Sequence, residues 1–158
     1  MRTADSDDDP RVWALCSLIA SGESYRQAVA DRFDLHVVDL TALGMLGRSP
    51  QPLTPQNLAT RLGTGSGTVT AVVDRLAAAG LVFRGPHPSD RRARLISVTA
   101  QGRAVLAFAN DHLTRALDGV RWFAQTPPGQ LGETLHGLAE RLERTAGAVR
   151  SDTRRDTR

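Results

Sequence analysis

The residues in this 158-residue sequence that are best suited to chemistry are its arginines. All 20 basic side chains are arginine, and lysine is absent. Between positions 75 and 103, six arginines stand against one acid, Asp90, which gives a local charge of +5 in a chain of net charge +3. Guanidinium groups make forked contacts with phosphate and enter narrow grooves. Charge concentrated in this way indicates a polyanionic partner.

Two short helices are predicted just before and within this charged segment. Thr54 followed by Pro55 marks a helix start, and Leu53 and Leu58 have the spacing of a hydrophobic staple. Gly63 ends this third helix of the chain two residues before the next apolar pattern begins. The fourth helix has one apolar stripe, made of Val69, Val72, Val73 and Leu76. Two helices joined by so tight a turn predict a helix-turn-helix.

The pattern changes after Gly80, which ends the fourth helix as a left-handed C-terminal residue. Residues 81–84 and 95–98 are strand candidates, and residues 85–90 have turn chemistry. A hairpin directly after the second helix of a helix-turn-helix is a wing. The sequence therefore predicts a mainly α fold with a small β-hairpin wing.

Further helices are predicted on both sides of this lobe. The first starts at Asp9-Pro10 and runs to about Arg32, and a second spans Val37 to Leu46. A fifth runs from Thr99 to about Ala124, and a sixth starts at Thr126-Pro127. The sixth carries a 4-3-4 packing seam of Leu131, Leu135, Leu138 and Leu142.

This element order predicts the domain organisation. Residues 1–9 and 150–158 are expected to be disordered tails, acidic and basic respectively, around a single domain over 10–149. In that domain, helices over 10–33 and 104–149 form a dimerisation lobe, and residues 35–100 form the winged helix-turn-helix lobe. Because the outer helices have more apolar stripe than a small wing domain covers, we predict a homodimer. The first, fifth and sixth helices pair with a second copy, which lets two recognition helices read a pseudo-palindromic site.

The segment from Leu53 to Gly102 also contains ordered sequence blocks. They include Leu58-Ala59, Thr68-Val69-Thr70, Val73-Asp74-Arg75-Leu76, Gly80-Leu81-Val82, Arg84, Asp90-Arg91-Arg92 and Val98-Thr99. These blocks, over about a third of the chain, resemble the DNA-binding lobe of the MarR family of transcriptional regulators. The resemblance implies a dimer whose terminal helices interlock, with the fourth helix in the major groove of double-stranded DNA and the wing in the minor groove. It also implies repression that is released by small phenolic ligands, metals or oxidants.

On the recognition helix, short hydroxyl side chains are predicted to contact phosphates or nearby base edges. These are Ser66, Thr68 and Thr70, and Arg75 is expected to face outward one turn later. Ala71 offers only apolar contact to a thymine methyl group. Shape readout and the wing are therefore expected to carry more of the sequence specificity.

On the wing, Arg91 and Arg92 are predicted to enter the minor groove, where a narrow groove concentrates negative potential. Asp90 is expected to hold one of them in position, and Arg94 to touch phosphate. Arg84 is equally compatible with a structural ion pair.

An effector pocket for a small aromatic or phenolic ligand is a further expectation. Its candidate residues are Trp13, Cys16, His36 and His112. Cys16 is expected to be a buried hydrophobe. A peroxide sensor acting through Cys16 is an alternative, but Ala30 and Leu40 stand where such sensors carry tyrosines. The histidines show no metal-ligand spacing, so neither a metal nor a cofactor is expected.

Other classes of protein lack support in the sequence. No nucleophile motif, phosphate loop or metalloprotease motif is present, which argues against an enzyme. Neither a run of roughly 18 apolar residues nor a signal pattern occurs, so we expect a cytoplasmic protein without membrane contact. A winged-helix module for protein contacts is the remaining alternative, and the arginine-rich segment disfavours it.

Overall fold

The computed structural model describes the backbone of residues 9–86 and 94–153. The chain divides into two compact units, Met1–Asn110 and Asp111–Arg158. The helix-turn-helix and the base of its wing lie within the first unit.

Within these described residues the fold is mainly helical, with one β-hairpin, as predicted. The elements in chain order are α1 (Pro10–Arg32), α2 (Val37–Arg48), α3 (Pro55–Leu62), α4 (Ser66–Ala78), β1 (Val82–Pro86), β2 (Arg94–Val98), α5 (Ala100–Asp118), α6 (Arg121–Gln125) and α7 (Pro128–Thr153). None of the helices described here is both long enough and apolar enough to cross a membrane.

The hairpin is attached to the helix-turn-helix through its second strand. β1 and β2 pair antiparallel with Arg84 opposite Ile96. Leu53, just before α3, pairs with the other side of Ile96, which donates to the Leu53 carbonyl at 2.8 Å and accepts from the Leu53 amide at 3.3 Å. The base of the wing and the start of α3 are therefore joined by backbone hydrogen bonds.

The core of the first unit is built from aliphatic side chains, as the scarcity of aromatic residues requires. Its centre combines the inward faces of α2, α3 and α4 with β2. The large apolar residues that are at most 1% exposed are Leu43, Leu58, Val69, Val72, Val73, Leu76 and Ile96. The stripe predicted on the fourth helix is thus the part of α4 that faces the core.

The largest difference from the sequence-based prediction lies after α5. The fifth helix was expected to continue to about Ala124, but α5 ends at Asp118 and a separate short helix, α6, follows. Gly119 lies at the break, where its low helix propensity makes termination inexpensive. At the other end of the unit, α7 continues to Thr153, past the position 149 at which the last helix was expected to end.

Candidate nucleic-acid interface

The helix-turn-helix starts and turns at the residues that the sequence indicates. The Thr54 hydroxyl accepts a hydrogen bond from the Asn57 amide at 3.2 Å, and Pro55 is the first residue of α3. Leu53 and Leu58 are both buried, as the staple requires. Gly63 adopts φ +64°, a left-handed conformation that glycine tolerates best, and it ends α3.

The recognition helix α4 has an open N-terminus. Gly65 caps it without a side-chain hydrogen bond, and the first turn contains no acidic residue. Ser66, Gly67 and Thr68 are exposed. Because the first amides of a helix lack intrahelical partners and carry partial positive charge, this turn suits an anion such as a phosphate.

The far end of α4 leads into the wing through a tight helix cap. Gly80 has φ +71°, and its amide donates to the Ala77 carbonyl at 2.9 Å. The Leu81 amide donates to the Leu76 carbonyl at 2.9 Å, and both of these leucines are buried. This is a Schellman arrangement with its usual apolar contact, and it fixes the direction in which β1 leaves the helix.

Arg75 is exposed, as its helical position predicts, and it is also held by an acid on α2. Its Nε and Nη2 donate to the two carboxylate oxygens of Asp39 at 2.7 and 2.5 Å, and the hydrogen bonding raises the pKa of Arg75. Asp39 is 1% exposed. These two hydrogen bonds attach the C-terminal half of α4 to α2, so Arg75 is a positioning residue for α4.

Sequence reasoning missed Asp39. It is an acid within the apolar run of α2, between Val38 and Leu40, and a lone carboxylate at a buried helical position needs a cationic partner. That signal could have been used. It would not have identified Arg75 as the partner, because 36 residues separate the two in the chain.

A second ion pair joins α4 to the wing. Arg84 on β1 contacts Asp74 on α4 at 2.6 Å between Nη2 and Oδ1, and both side chains are substantially exposed. Arg84 therefore forms a structural ion pair, which is one of the two roles that the sequence allowed for it. Asp74 and Arg75 thus connect α4 to the wing and to α2 respectively.

Arg94 is an exposed arginine of the wing, and it begins β2 opposite Pro86. Asp90, Arg91 and Arg92 lie outside the described residues. The base of the wing is closed by Thr99, whose hydroxyl donates to the Gly80 carbonyl at 2.7 Å and accepts from the Gly102 amide at 3.0 Å. Thr99 thereby caps α5, as predicted, and also holds the residue that ends α4.

The residues predicted for an effector pocket are not brought together in either of the clefts described below. Trp13 and Cys16 are exposed on α1, and His36 is the exposed N-cap of α2. His112 belongs to the second unit. The prediction that Cys16 is buried is wrong for the single chain, because its stretch of α1 has no covering element among the described residues of that chain.

Tyrosine support for a reactive thiol is also absent from the described side chains. Tyr25 donates its hydroxyl hydrogen to the Ala109 carbonyl at 2.5 Å, and burial raises the pKa of Tyr25. It therefore links α1 to α5 within the first unit. Over the described ranges, no group of three or more potential metal ligands was found.

The described part of the first unit has two clefts of note. One, of about 340 Å³, is mainly apolar and is lined by Phe33, Ala79, Leu81, Gln101, Ala104, Val105 and Phe108. The Phe33 and Phe108 rings meet edge to face with centroids 5.3 Å apart. The other, of about 190 Å³, lies between the α2–α3 loop, β2 and Arg103.

Comparison with known proteins finds similarity to transcriptional regulators. Residues 33–93 match the MarR family model. The uncharacterized HTH-type transcriptional regulator YcgE of Bacillus subtilis (strain 168) is 39% identical over 72 residues, which are 46% of this chain and 46% of YcgE. The match therefore spans less than half of that relative's length.

Solved structures share the fold over most of the chain. The transcriptional regulator BldR from Sulfolobus solfataricus is 26% identical with a TM-score of 0.60, covering 90% of this chain and 99% of BldR. A mutant of S. aureus MepR, bound to an oligodeoxyribonucleotide, is 15% identical with a TM-score of 0.62 and covers 87% of this chain and 99% of MepR. At that identity, the MepR match shows a common fold only.

Proposed function

We propose that this chain is a regulator of the MarR family, whose model matches residues 33–93, and that it acts as a homodimeric transcriptional repressor that binds a specific site in double-stranded DNA. The observation that carries the proposal is the geometry of α4. Its N-terminal turn is open and exposed. Its C-terminal half is attached to α2 by the Asp39–Arg75 ion pair and leads into an arginine-bearing hairpin. A rigid helix of this kind fits the major groove.

The pairing of the arginines suggests different DNA contacts for the helix and for the wing. Two of the six arginines in the +5 segment, Arg75 and Arg84, are paired with the protein's own acids. The cations proposed to meet DNA therefore belong to the second half of the hairpin, namely Arg91, Arg92 and Arg94. We assign Ser66 and Thr68, with the N-terminal amides of α4, to phosphates.

Dimerisation is supported by apolar side chains that a single chain leaves exposed. On α1, Trp13 is 66% and Leu18 is 61% exposed. On α7, Leu135, Leu138 and Leu142 form a seam with close to 40% exposure each. Exposed apolar side chains that recur along a helix mark an association site, and a second copy of the chain offers the same helices for a two-fold interface.

An effector site is proposed at the apolar cleft of about 340 Å³, in place of the four residues chosen from sequence. Its volume lies at the small end of ligand pockets. Two aromatic rings and the amide of Gln101 suit a small aromatic ligand with one polar substituent. Ala79 and Leu81 flank Gly80, where α4 passes into the wing, so a ligand there would act on the DNA-contacting elements.

DNA binding can be tested without knowing the operator. The full-length protein would be used to select duplexes from a random pool, and fluorescence anisotropy would give Kd for the best sequence at several salt concentrations. We expect Kd to rise steeply with salt because phosphate contacts release counterions. Arg92→Ala should weaken binding by roughly 1–3 kcal/mol, whereas the matched control Arg141→Ala on α7 should not.

The outcomes separate the proposed function from its rival. Failure to enrich any sequence, or equal affinity for all duplexes at physiological salt, would contradict a sequence-specific regulator and favour a protein-interaction module.

For the effector cleft, we expect hydroxylated benzoates and cinnamates to raise Tm. Ala104→Trp, which fills the cleft from an exposed position, should remove that shift while preserving DNA binding.

A further inference from the structure

We propose that α4 selects its DNA site by contacting the 5-methyl groups of thymine, with Thr70 and Ala71 as the specificity-determining residues. The proposal rests on the proposed DNA-binding function and names the feature of the major groove that the helix reads. The sequence alone favoured the wing and DNA shape as the source of specificity, whereas this proposal gives part of the base selection to α4.

Three polar side chains that follow the first turn of α4 form contacts within the protein. Arg75 is forked onto Asp39, and Asp74 is paired with Arg84. The hydroxyl of Thr70 donates its only hydrogen to the Ser66 carbonyl at 3.0 Å. The donors that commonly read guanine or adenine in the major groove are arginine, lysine, asparagine and glutamine. On α4 the sole residue of these types is Arg75, and its Nε and Nη2 are bonded to Asp39, which holds the guanidinium group against α2.

The remaining outer surface of α4 is shallow and carries methyl groups. With Val69, Val72, Val73 and Leu76 in the core, helical periodicity places Gly67, Ala71 and Ala78 on the opposite side. Thr70 lies beside Ala71, and both are exposed. Side chains this short allow the helix to approach the groove floor closely.

Thymine is the base that can make favourable apolar contact with such a surface. Its 5-methyl group projects into the major groove, and apolar contact with alanine or with the threonine methyl is a recognised way to read it. Cytosine lacks this methyl group. Burying one methyl-sized group corresponds to about a fourfold change in an equilibrium constant. Over two half-sites, this is enough to rank operator sequences.

The test compares duplexes that differ only by methyl groups. Starting from the sequence selected by the full-length protein, each thymine would be replaced in turn by deoxyuridine, which keeps the base pairing and the minor groove unchanged. Kd would be measured by fluorescence anisotropy. We expect about a fourfold loss of affinity at one or two thymines per half-site, and no change at thymines outside the bound region.

Two variants assign the contact to Thr70. Thr70→Val keeps a methyl group and loses the hydroxyl, whereas Thr70→Ser keeps the hydroxyl and loses the methyl. We expect Thr70→Val to keep the preference for thymine over deoxyuridine and Thr70→Ser to lose it at one position. Far-UV circular dichroism checks that both variants are folded.

The two proposals fail in different ways. Tight, sequence-specific binding that is insensitive to deoxyuridine at every thymine would overturn the methyl readout and leave the DNA-binding function standing. Thr70→Ser that keeps the full thymine preference while Thr70→Val loses it would overturn the role of the Thr70 methyl. If no duplex is selected at all, the proposed function itself fails, and this inference fails with it.

Discussion

Helix α4 of the helix-turn-helix and the leucine seam of α7 follow the same amphipathic pattern but differ in burial. On α4, the inward stripe of Val69, Val72, Val73 and Leu76 is at most 1% exposed. On α7, the leucine seam retains close to 40% exposure. Periodicity alone therefore reports that a helix has an apolar face. Whether the complement of that face lies in the same chain is decided by tertiary structure.

The largest expected effect of a single substitution is on the closed core. Leu76→Ala removes a fully buried side chain of α4 and leaves a cavity, so we expect the free energy of unfolding to fall by about 2–5 kcal/mol. Urea denaturation followed by circular dichroism measures this change. Ala78→Ser, on the exposed side of the same helix, is the control. Equal stability of the two variants would show that α4 does not pack as described.

A substitution in the seam should affect assembly rather than folding. Leu138→Glu places a charge in the centre of the α7 seam, so we expect it to prevent the proposed homodimer from forming while the helical content of the protein is retained. Size-exclusion chromatography with light scattering gives the mass. Glu133→Gln on the same helix is the control. A Leu138→Glu protein that remains fully dimeric would place the interface elsewhere.

The two ion pairs of α4 allow the comparison to be made within one element. Arg75→Ala leaves the buried Asp39 carboxylate without its cationic partner, and we expect Tm to fall by several degrees and DNA affinity to fall with it. Asp74→Ala removes an exposed pair, which contributes about 0–1 kcal/mol. Differential scanning calorimetry distinguishes them. A larger loss from Asp74→Ala would reverse the assignment of Asp39 as the main anchor.

The smallest expected effect is at the start of α1. Hydrogen bonds from the Arg11 side chain and backbone lower the pKa of Asp9 from 3.8 to about 2. A lowered pKa means that the cap stabilises α1 above about pH 4 and loses this contribution as the pH falls towards 2. A carboxyl-carbon NMR titration of Asp9 measures the pKa. Asp9→Asn, a neutral cap of similar quality, should remove the pH dependence, and an ordinary pKa would contradict the Arg11 contact.

Structural features that depend only on neighbouring residues could be predicted from the sequence. The start of α3 at Thr54 and Pro55, the end of α3 at Gly63, the left-handed Gly80 and the Thr99 cap each depend on a few neighbouring residues. They were predicted correctly for that reason. The MarR resemblance likewise depended on ordered blocks within one segment, and the family match confirms it.

Features that depend on distant parts of the chain were not predictable in the same way. Arg75 is exposed as its helical position predicts, but its fork with Asp39 on another helix has no local signal in the sequence. Burial of Cys16 was inferred from its apolar neighbours, yet a stripe is buried only if something covers it. The break at Gly119 is a weak local signal that the long apolar period on either side concealed.

The hydroxyl of Thr99 has a mechanical consequence. It bonds to the glycine that ends the recognition helix while standing at the foot of the second wing strand. The end of α4, the foot of β2 and the start of α5 are therefore joined through one side chain. A displacement of any one of these three elements would be passed to the other two.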